Sequence, residues 1–381
     1  MTSKPPSSPI AMVDLSSQYK KIKSDLDQGL QAVIDSTQFI NGSTVHQFAR
    51  NLEQYLGVAH VIPCANGTDA LQIALMALGL EPGDEVITTP FTFVATAEVI
   101  ALLGLKPVFV DVHPDTFNID ETKVEAAIGP RTRCIIPVHL FGQGANMEAL
   151  MEIAGRHQLF VVEDNAQAIG ADYHFPNGKT QKLGTIGHIG CTSFFPSKNL
   201  GAYGDGGALF TQDPELADKI SMIVNHGMKE RYYHDIIGVN SRLDTLQAVV
   251  LDTKLPHLDT YNAARAGAAD YYDKGFEGNA LLSIPFRAPF STHVFHQYTL
   301  SIKEGRDAVR SQLQEAGIPT GIYYPVPLHI QKAYRGYGYQ EGDFPISENL
   351  ANQVLSLPIH SELHPEIQDY IIDQLLKALS L

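Results

Sequence analysis

Lys198 lies in the run CTSFFPSKNLGAYGDGGA, and upstream of it the apolar run of FVVEDNAQAIG ends in Asp164. A lysine amine condenses with an aldehyde to form a Schiff base, which makes it a covalent handle for a carbonyl compound. An aspartate at the carboxyl end of a strand can hold a pyridine nitrogen in its protonated form. Pyridoxal phosphate needs both, because its ring accepts electrons well only while that nitrogen stays charged. Neither residue is diagnostic alone. A lysine in a Gly/Ser-rich loop is usually a solvated surface residue, and an aspartate after an apolar strand is often a helix N-cap. Their company moves the balance.

In NGTDAL, Gly67 allows a tight turn and Thr68 opens a helix whose first amides have no partner. Those amides and the helix dipole suit a phosphate; plain capping by Asn66 or Thr68 is the common alternative. In TTPFTFVATAE, extended chain puts Phe91 and Phe93 on one side, where one ring could stack on a flat cofactor or both could be core. Gln167 falls about one helical turn past Asp164 if a helix starts there, within reach of a ring's phenolic oxygen. Glu163 points to the other side of the strand. Ser193 and Lys198 flank a turn made by Pro196 and Ser197, and Ser193 can donate to a phosphate oxygen. Gly201, Gly204, Gly206 and Gly207 permit backbone conformations that other residues resist, or serve as simple turn glycines. Asn240 and Arg242 share GVNSRLDTLQ; Arg242 offers a planar fork for a carboxylate, or pairs with Asp244 on the surface. Tyr323, Tyr324 and His329 form a Pro-braced loop that lines a pocket for a sugar or nucleotide, or simply packs. His139, His226 and His234 show no zinc spacing, and no metal is assigned.

These residues need elements to hold them. DEVITTP, KPVFVDV, TRCIIPVHL, LFVVED and GCTSFFP read as short buried strands, with amphipathic stretches such as TDALQIALMALGL and ALMEIAGRHQL between several of them. That order predicts βαβ units and a mostly parallel sheet. Ligands then sit beyond the carboxyl ends of the strands, where Pro90, Asp164 and the loop before Lys198 fall. After about Asn240 the pattern becomes a long helical stretch, bent or broken near Pro256. FHQYTLSI, DAVRSQLQEAG and TGIYYP then predict a small α+β domain. The division is placed within the helical stretch, giving a large domain over 1–250 and a small one over 251–381.

The chain of 381 residues is long enough for one large domain and a smaller one. A formal charge of −15 argues against nucleic acid as a partner. No stretch approaches a membrane span, and MTSKPPSSPI reads as a floppy lead-in without the apolar core of a signal peptide. Cys64, Cys134 and Cys191 are scattered and read as reduced core thiols of a cytoplasmic protein.

Taken in order, NGTDAL, FTFVATAE, EDNAQAIG, SFFPSKNLG, GDGGA and GVNSRLD resemble the sugar aminotransferases of the DegT/DnrJ/EryC1/StrS family, and the likeness runs from DLSSQYKKIK to LSLPIH. The resemblance implies an α/β, fold-type I architecture like that of aspartate aminotransferase, pyridoxal 5′-phosphate as cofactor, and a homodimer with shared active sites. It implies that Lys198 is the Schiff-base lysine, that Asp164 partners the ring nitrogen, that Gln167 lies near the phenolic oxygen and that Phe93 is the stacking ring. Gly67, Thr68 and Ser193 would hold the phosphate, reached by Asn240 from the other subunit. Arg242 and Tyr324 fall where the family handles substrate. Lysine at 198 separates the chain from the family's dehydratases, in which a histidine stands there. CANGTDALQIALMALG and CTSFFPSKNLGAYGDGGA look especially like enzymes that use UDP-2-acetamido-2-deoxy-3-oxo-glucuronate. The implied reaction aminates C3 of that sugar with L-glutamate, in the cytoplasm, for O-antigen or lipopolysaccharide precursors. The alternatives are a dTDP-3-keto-6-deoxyhexose 3-aminotransferase, a 4-keto sugar aminotransferase, an ordinary α-amino-acid aminotransferase and a cofactor-binding regulator. Two segments depart from the pattern: FINGST, expected to touch the nucleotide, and the longer YHFPNGKTQKLGTIG.

Overall fold

The structure is a computed structural model that describes residue 6 and residues 8–380; the lead-in expected over MTSKPPSSPI falls largely outside them. Two helices, α1 (Leu15–Ser36) and α2 (Ser43–Leu56), come first. Strands and helices then alternate as β1 (His60–Cys64), α3 (Gly67–Leu78), β2 (Glu85–Thr88), α4 (Ala95–Leu102), β3 (Lys106–Phe109), the short α5 (Glu121–Val124), β4 (Thr132–Ile135), α6 (Met147–His157) and β5 (Phe160–Asp164). A hairpin of β6 (Asp172–His174) and β7 (Thr180–Lys182) leads to β8 (Ile189–Ser193), β9 (Gly207–Thr211) and α7 (Pro214–Ile223).

The main sheet has seven strands in the order β1-β9-β8-β5-β4-β2-β3, and only β9 runs against its neighbours. All five strands expected from the sequence are present. The apolar runs are nearly continuous because both faces are covered. Val86, Cys134, Val162 and Cys191 pack under α3, α4 and α7, whereas Ile87, Ile135 and Val161 pack on the α6 side. Alternate residues of one strand therefore serve opposite layers. β1 and β9 were not legible. HVIPC carries Pro63, which is tolerated because β1 is an edge strand, and GALFT follows a glycine-rich loop without a break in composition.

A second hairpin, β10 (Met228–Glu230) with β11 (Tyr233–His234), precedes α8 (Thr245–Lys254). The helical stretch breaks where expected: Leu255–His257 form a 3-10 turn around Pro256 before α9 (Leu258–Phe276). α8 is held from outside by α1, whose Ile22, Leu26 and Val33 cluster with Val249 and Val250. The rest comprises β12 (Leu282–Ser283), β13 (Tyr298–Ile302), α10 (Arg306–Glu315), α11 (Pro345–Gln353), β14 (Val354–Leu357) and α12 (Pro365–Leu379). Its strands form an antiparallel sheet in the order β12-β13-β14. Tyr272 and Phe276 of α9 join Leu300, Leu313, Leu355 and Ile371 in its core, while Leu258 at the start of α9 belongs to the core beneath α2 and α8. Among the described residues no helix is long and apolar enough to cross a membrane.

Candidate active site

β5 delivers Asp164 at its carboxyl end, buried to 5% exposure. Its Oδ2 accepts from the Thr96 hydroxyl at 2.8 Å and its Oδ1 from the Ala166 amide at 3.2 Å. Burial pushes its carboxyl above the usual carboxylate range, and Thr96, Ala166 and Lys198 pull it back. A cation placed against it would complete that pull. Glu163, one residue earlier, faces the other way, as expected. It is fully buried, bonded to His139 Nε2 at 2.8 Å and to the amides of Gly184, Ile186 and Gly187 at 2.8, 2.7 and 2.6 Å. Its lone pairs are consumed in fixing the loop between β7 and β8, which leaves Asp164 as the carboxylate open to chemistry.

Lys198 projects from the loop between β8 and β9. Its amide donates to Phe195 O at 2.8 Å across the expected Pro196–Ser197 turn, and the Ala202 amide closes the loop on Phe194 O at 2.8 Å. The side chain is partly buried. Desolvation draws its ammonium down to about 8, against the opposing pull of Asp164. Asn199 Nδ2 anchors the loop to Asn262 Oδ1 at 2.7 Å and to Val294 O at 2.9 Å. His296, two residues beyond that anchor, is kept neutral by burial, lies within electrostatic reach of Lys198, and has a buried Nδ1 without a partner among the described residues.

Ser193 ends β8 against the start of α3. A Cβ on Gly67 would lie 2.6 Å from Ser193 Cβ, so only glycine permits this approach. Asn66 caps α3 by accepting from the Asp69 amide at 2.8 Å, and the helix begins at Gly67, one residue earlier than expected. The Gly67 and Thr68 amides are among those a helix start leaves without an intrahelical acceptor. Ser193 Oγ accepts from Phe195 N at 3.3 Å, which leaves its proton free to donate. The loop glycines serve close approach rather than unusual dihedrals. Gly201 and Gly207 have ordinary φ, but a Cβ would sit 2.3 Å from Pro196 O and 2.4 Å from Asn66 O.

Several expectations are corrected. The chain after β2 bends instead of extending, so Phe91 is fully buried while Phe93 is 54% exposed. Both rings still meet Tyr324, at centroid distances of 6.3 Å each. No helix follows Asp164; a turn with Ala168 N on Asn165 O places Gln167. Gln167 accepts from Phe141 N at 2.7 Å and donates to the Tyr324 hydroxyl at 3.1 Å. Tyr324 thus joins the Asp164 neighbourhood, and Tyr323 packs beside it at 5.9 Å. His329 does not. It is fully buried with Nε2 on Glu348 Oε1 at 2.9 Å, because its loop tucks under α11. Arg242 makes no ion pair with Asp244 among the described residues, and its Nε is buried without a partner. Asn240 is exposed, bridging antiparallel to Asn225. FINGST packs on the start of α8, with Thr245 N on Phe39 O at 2.9 Å and Gly42 N on Thr245 Oγ1 at 3.1 Å. Cys64, Cys134 and Cys191 are free and buried.

Sequence reasoning missed Thr96, although it lies inside the quoted FTFVATAE block. It also missed the cluster of His113, Asp120 and Glu121, whose ligand-type atoms lie within 4.8 Å of one another. Those groups satisfy each other: His113 Nε2 bonds Glu121 at 2.7 Å and Lys123 pairs with Asp120 at 2.9 Å. The cavity of about 310 Å³ between α1, α2 and α8 is lined by Gly42, Ser43 and Thr44 of FINGST but by none of the residues expected to hold the cofactor or do the chemistry, so concavity alone does not mark this chemistry.

An amine drawn toward neutrality, a buried carboxylate and a glycine-backed helix start thus converge beyond the strand ends. That donor set fits pyridoxal phosphate. The comparisons agree with it. Residues 20–376 match the DegT/DnrJ/EryC1/StrS aminotransferase family. A pleiotropic regulatory protein of Geobacillus stearothermophilus is 48% identical over 96% of this chain and 97% of its own length. The UDP-2-acetamido-2-deoxy-3-oxo-D-glucuronate aminotransferase of Pseudomonas aeruginosa is 46% identical over 93% of this chain and 96% of its own. The crystal structure of Streptomyces venezuelae DesV superposes with a TM-score of 0.94 at 40% identity, covering 98% of this chain and 99% of that one.

Proposed function

We propose, for a chain that belongs to the DegT/DnrJ/EryC1/StrS aminotransferase family and is a pyridoxal-phosphate-dependent transaminase, that it moves the amino group of L-glutamate to C3 of UDP-2-acetamido-2-deoxy-3-oxo-glucuronate. The convergence of Lys198 and Asp164 carries the reaction class. The Pseudomonas relative, with the likeness of the CANGTDAL and CTSFFPSKNLG blocks, supports the substrate. The product would feed O-antigen or lipopolysaccharide precursors in the cytoplasm.

When bound, the cofactor supplies an aldehyde that captures amines and a protonated ring that absorbs an electron pair. Lys198 would hold that aldehyde through its Nζ. Its neutral Nζ, when free, would take the proton from the donor's Cα in the first half and would deliver a proton to C3 of the sugar in the second. Asp164 would keep the ring nitrogen charged, and Gln167 would face the phenolic oxygen. Gly67, Thr68 and Ser193 would receive the phosphate, with Asn240 of a second copy, and Phe93 would cover the ring. Arg242, whose Nε lacks a protein partner, offers its fork to a substrate carboxylate. Glutamate, with two carboxylates, and the uronate, with one, would occupy the site in turn, so a single cation can serve both. Tyr323 and Tyr324 would border the sugar; the buried His329 would act only by shaping their loop. We place the division between the cofactor-holding part and the smaller part at residues 250 and 251.

The runner-up is a dTDP-linked 3-keto-6-deoxyhexose, which carries a methyl group where the uronate has its carboxylate. The test is kcat/KM on both sugars with glutamate, with mass spectrometry of the products. We expect the uronate to be preferred and aminated at C3. Preference for the 6-deoxy sugar, or amination at C4, overturns the substrate. Cofactor binding without any amino sugar formed would favour a regulator.

A further inference from the structure

Lys254 is the one charged side chain of α8 that the reaction above does not use and that is 1% exposed. No carboxylate pairs with it among the described residues. Its Nζ donates to Gly201 O at 2.8 Å and stands 4.4 Å from the centroid of the Tyr203 ring. Both acceptors belong to the loop that carries Lys198. A neighbouring side chain of α8, Gln247, holds the same loop by accepting from the Tyr203 amide at 2.8 Å. The loop leaves little slack at this point, since Gly201 packs its Cα against the Pro196 carbonyl. A buried lysine is costly, and an apolar residue of equal length would fill the space without that cost. What an apolar residue cannot supply is a donor to Gly201 O.

We propose that Lys254 is a positioning residue for Lys198, tying Gly201 and Tyr203 down so that the Lys198 amine is held toward Asp164. This rests on the reading of Lys198 as the group that captures the cofactor aldehyde. Four side-chain ties then hold the loop: Asn199 to Asn262, Asn199 to Val294, Tyr203 to Gln247, and Lys254 to Gly201. The last two both come from α8 to the far side of the Lys198 turn, and of these Lys254 is the one that donates, to the Gly201 carbonyl. Burial lowers the Lys254 ammonium to about 8, but its neutral amine still donates, so the tie survives across that range.

Lys254→Met keeps length and removes the donor. Amide exchange across residues 194–203 of the cofactor-free protein should rise about tenfold, the scale of losing one charge-assisted hydrogen bond. Borohydride trapping of pyridoxal phosphate on Lys198, followed on the Lys198 peptide, should slow by a similar factor, with the thermal midpoint unchanged or higher. Lys254→Gln, which keeps a donor, should restore slow exchange. A folded Met variant with wild-type exchange and trapping overturns the inference. If the Met chain does not fold, the Gln variant decides: fast exchange over 194–203 in a folded Gln protein also overturns it. Lys198→Ala separates the two readings. If that variant still traps cofactor at the same rate, the Lys198 assignment fails; if it does not trap, a negative result for Lys254 falls on the present inference alone.

Discussion

Lys198 and Asp164 set each other's protonation, and that coupling gives a pH signature. Lys198 is drawn down to about 8 from its ordinary value by desolvation, and the Asp164 charge holds it from falling further. The neutral amine is the nucleophile. Capture of pyridoxal phosphate by the cofactor-free enzyme should therefore accelerate as pH rises through about 8 and level off above it, read by stopped-flow absorbance. In Asp164→Asn the charge that supports the ammonium is gone, so the midpoint should move to lower pH. An unchanged midpoint would mean that the two residues do not interact. The same variant should lose kcat, because Asn cannot keep a pyridine nitrogen protonated. Its cofactor-free thermal midpoint should hold, since burial raises the native Asp164 carboxyl and removing that charge relieves a desolvation cost.

The elements carry these residues through a few tight approaches. α3 begins where Gly67 backs onto Ser193, and Gly67→Ala would force a Cβ to within 2.6 Å of Ser193 Cβ. The helix start must shift, and cofactor affinity should fall by at least about tenfold, the scale of one positioned hydrogen bond; fluorescence titration measures it. Retained affinity would place the phosphate elsewhere. Beneath β5, Glu163 gathers three amides and His139. Glu163→Gln puts an NH₂ donor among donors. Denaturant unfolding should show a loss of roughly 3 kcal/mol, as for a broken buried charge network. A loss near zero would show that the loop between β7 and β8 does not depend on this residue.

At the scale of the whole molecule, Asn240 decides whether one chain suffices. It is exposed, and the proposal sends it to a second copy's phosphate. Lys198→Ala chains mixed with inactive Asn240→Asp chains should regain part of wild-type turnover as subunits exchange, because one mixed site then holds both native residues. A fully active monomer in sedimentation velocity would contradict this. The exposed side chains of Tyr232, Tyr233 and Ile237 in and beside the β10–β11 hairpin lie in the segment that leads into Asn240.

The sequence alone determined the reaction class and five of the sheet's seven strands. A lysine in SFFPSKNLG, an aspartate ending FVVED and β-branched runs separated by amphipathic helices are local patterns, and strands buried on both faces write themselves as apolar runs. Periodicity also located the break at Pro256. Tertiary structure decided what local pattern cannot encode. Phe91 and Phe93 parted because the chain bends after β2, and His329 went inside because α11 offered Glu348. The loop glycines proved to be about space, since the clashing atoms come from Pro196 and from Asn66 on a distant strand–helix turn. Thr96 and Lys254 reach Asp164 and Gly201 across 68 and 53 residues. Contacts of that separation leave no period in the sequence, because they depend on where the packed sheet and helices bring two distant segments together.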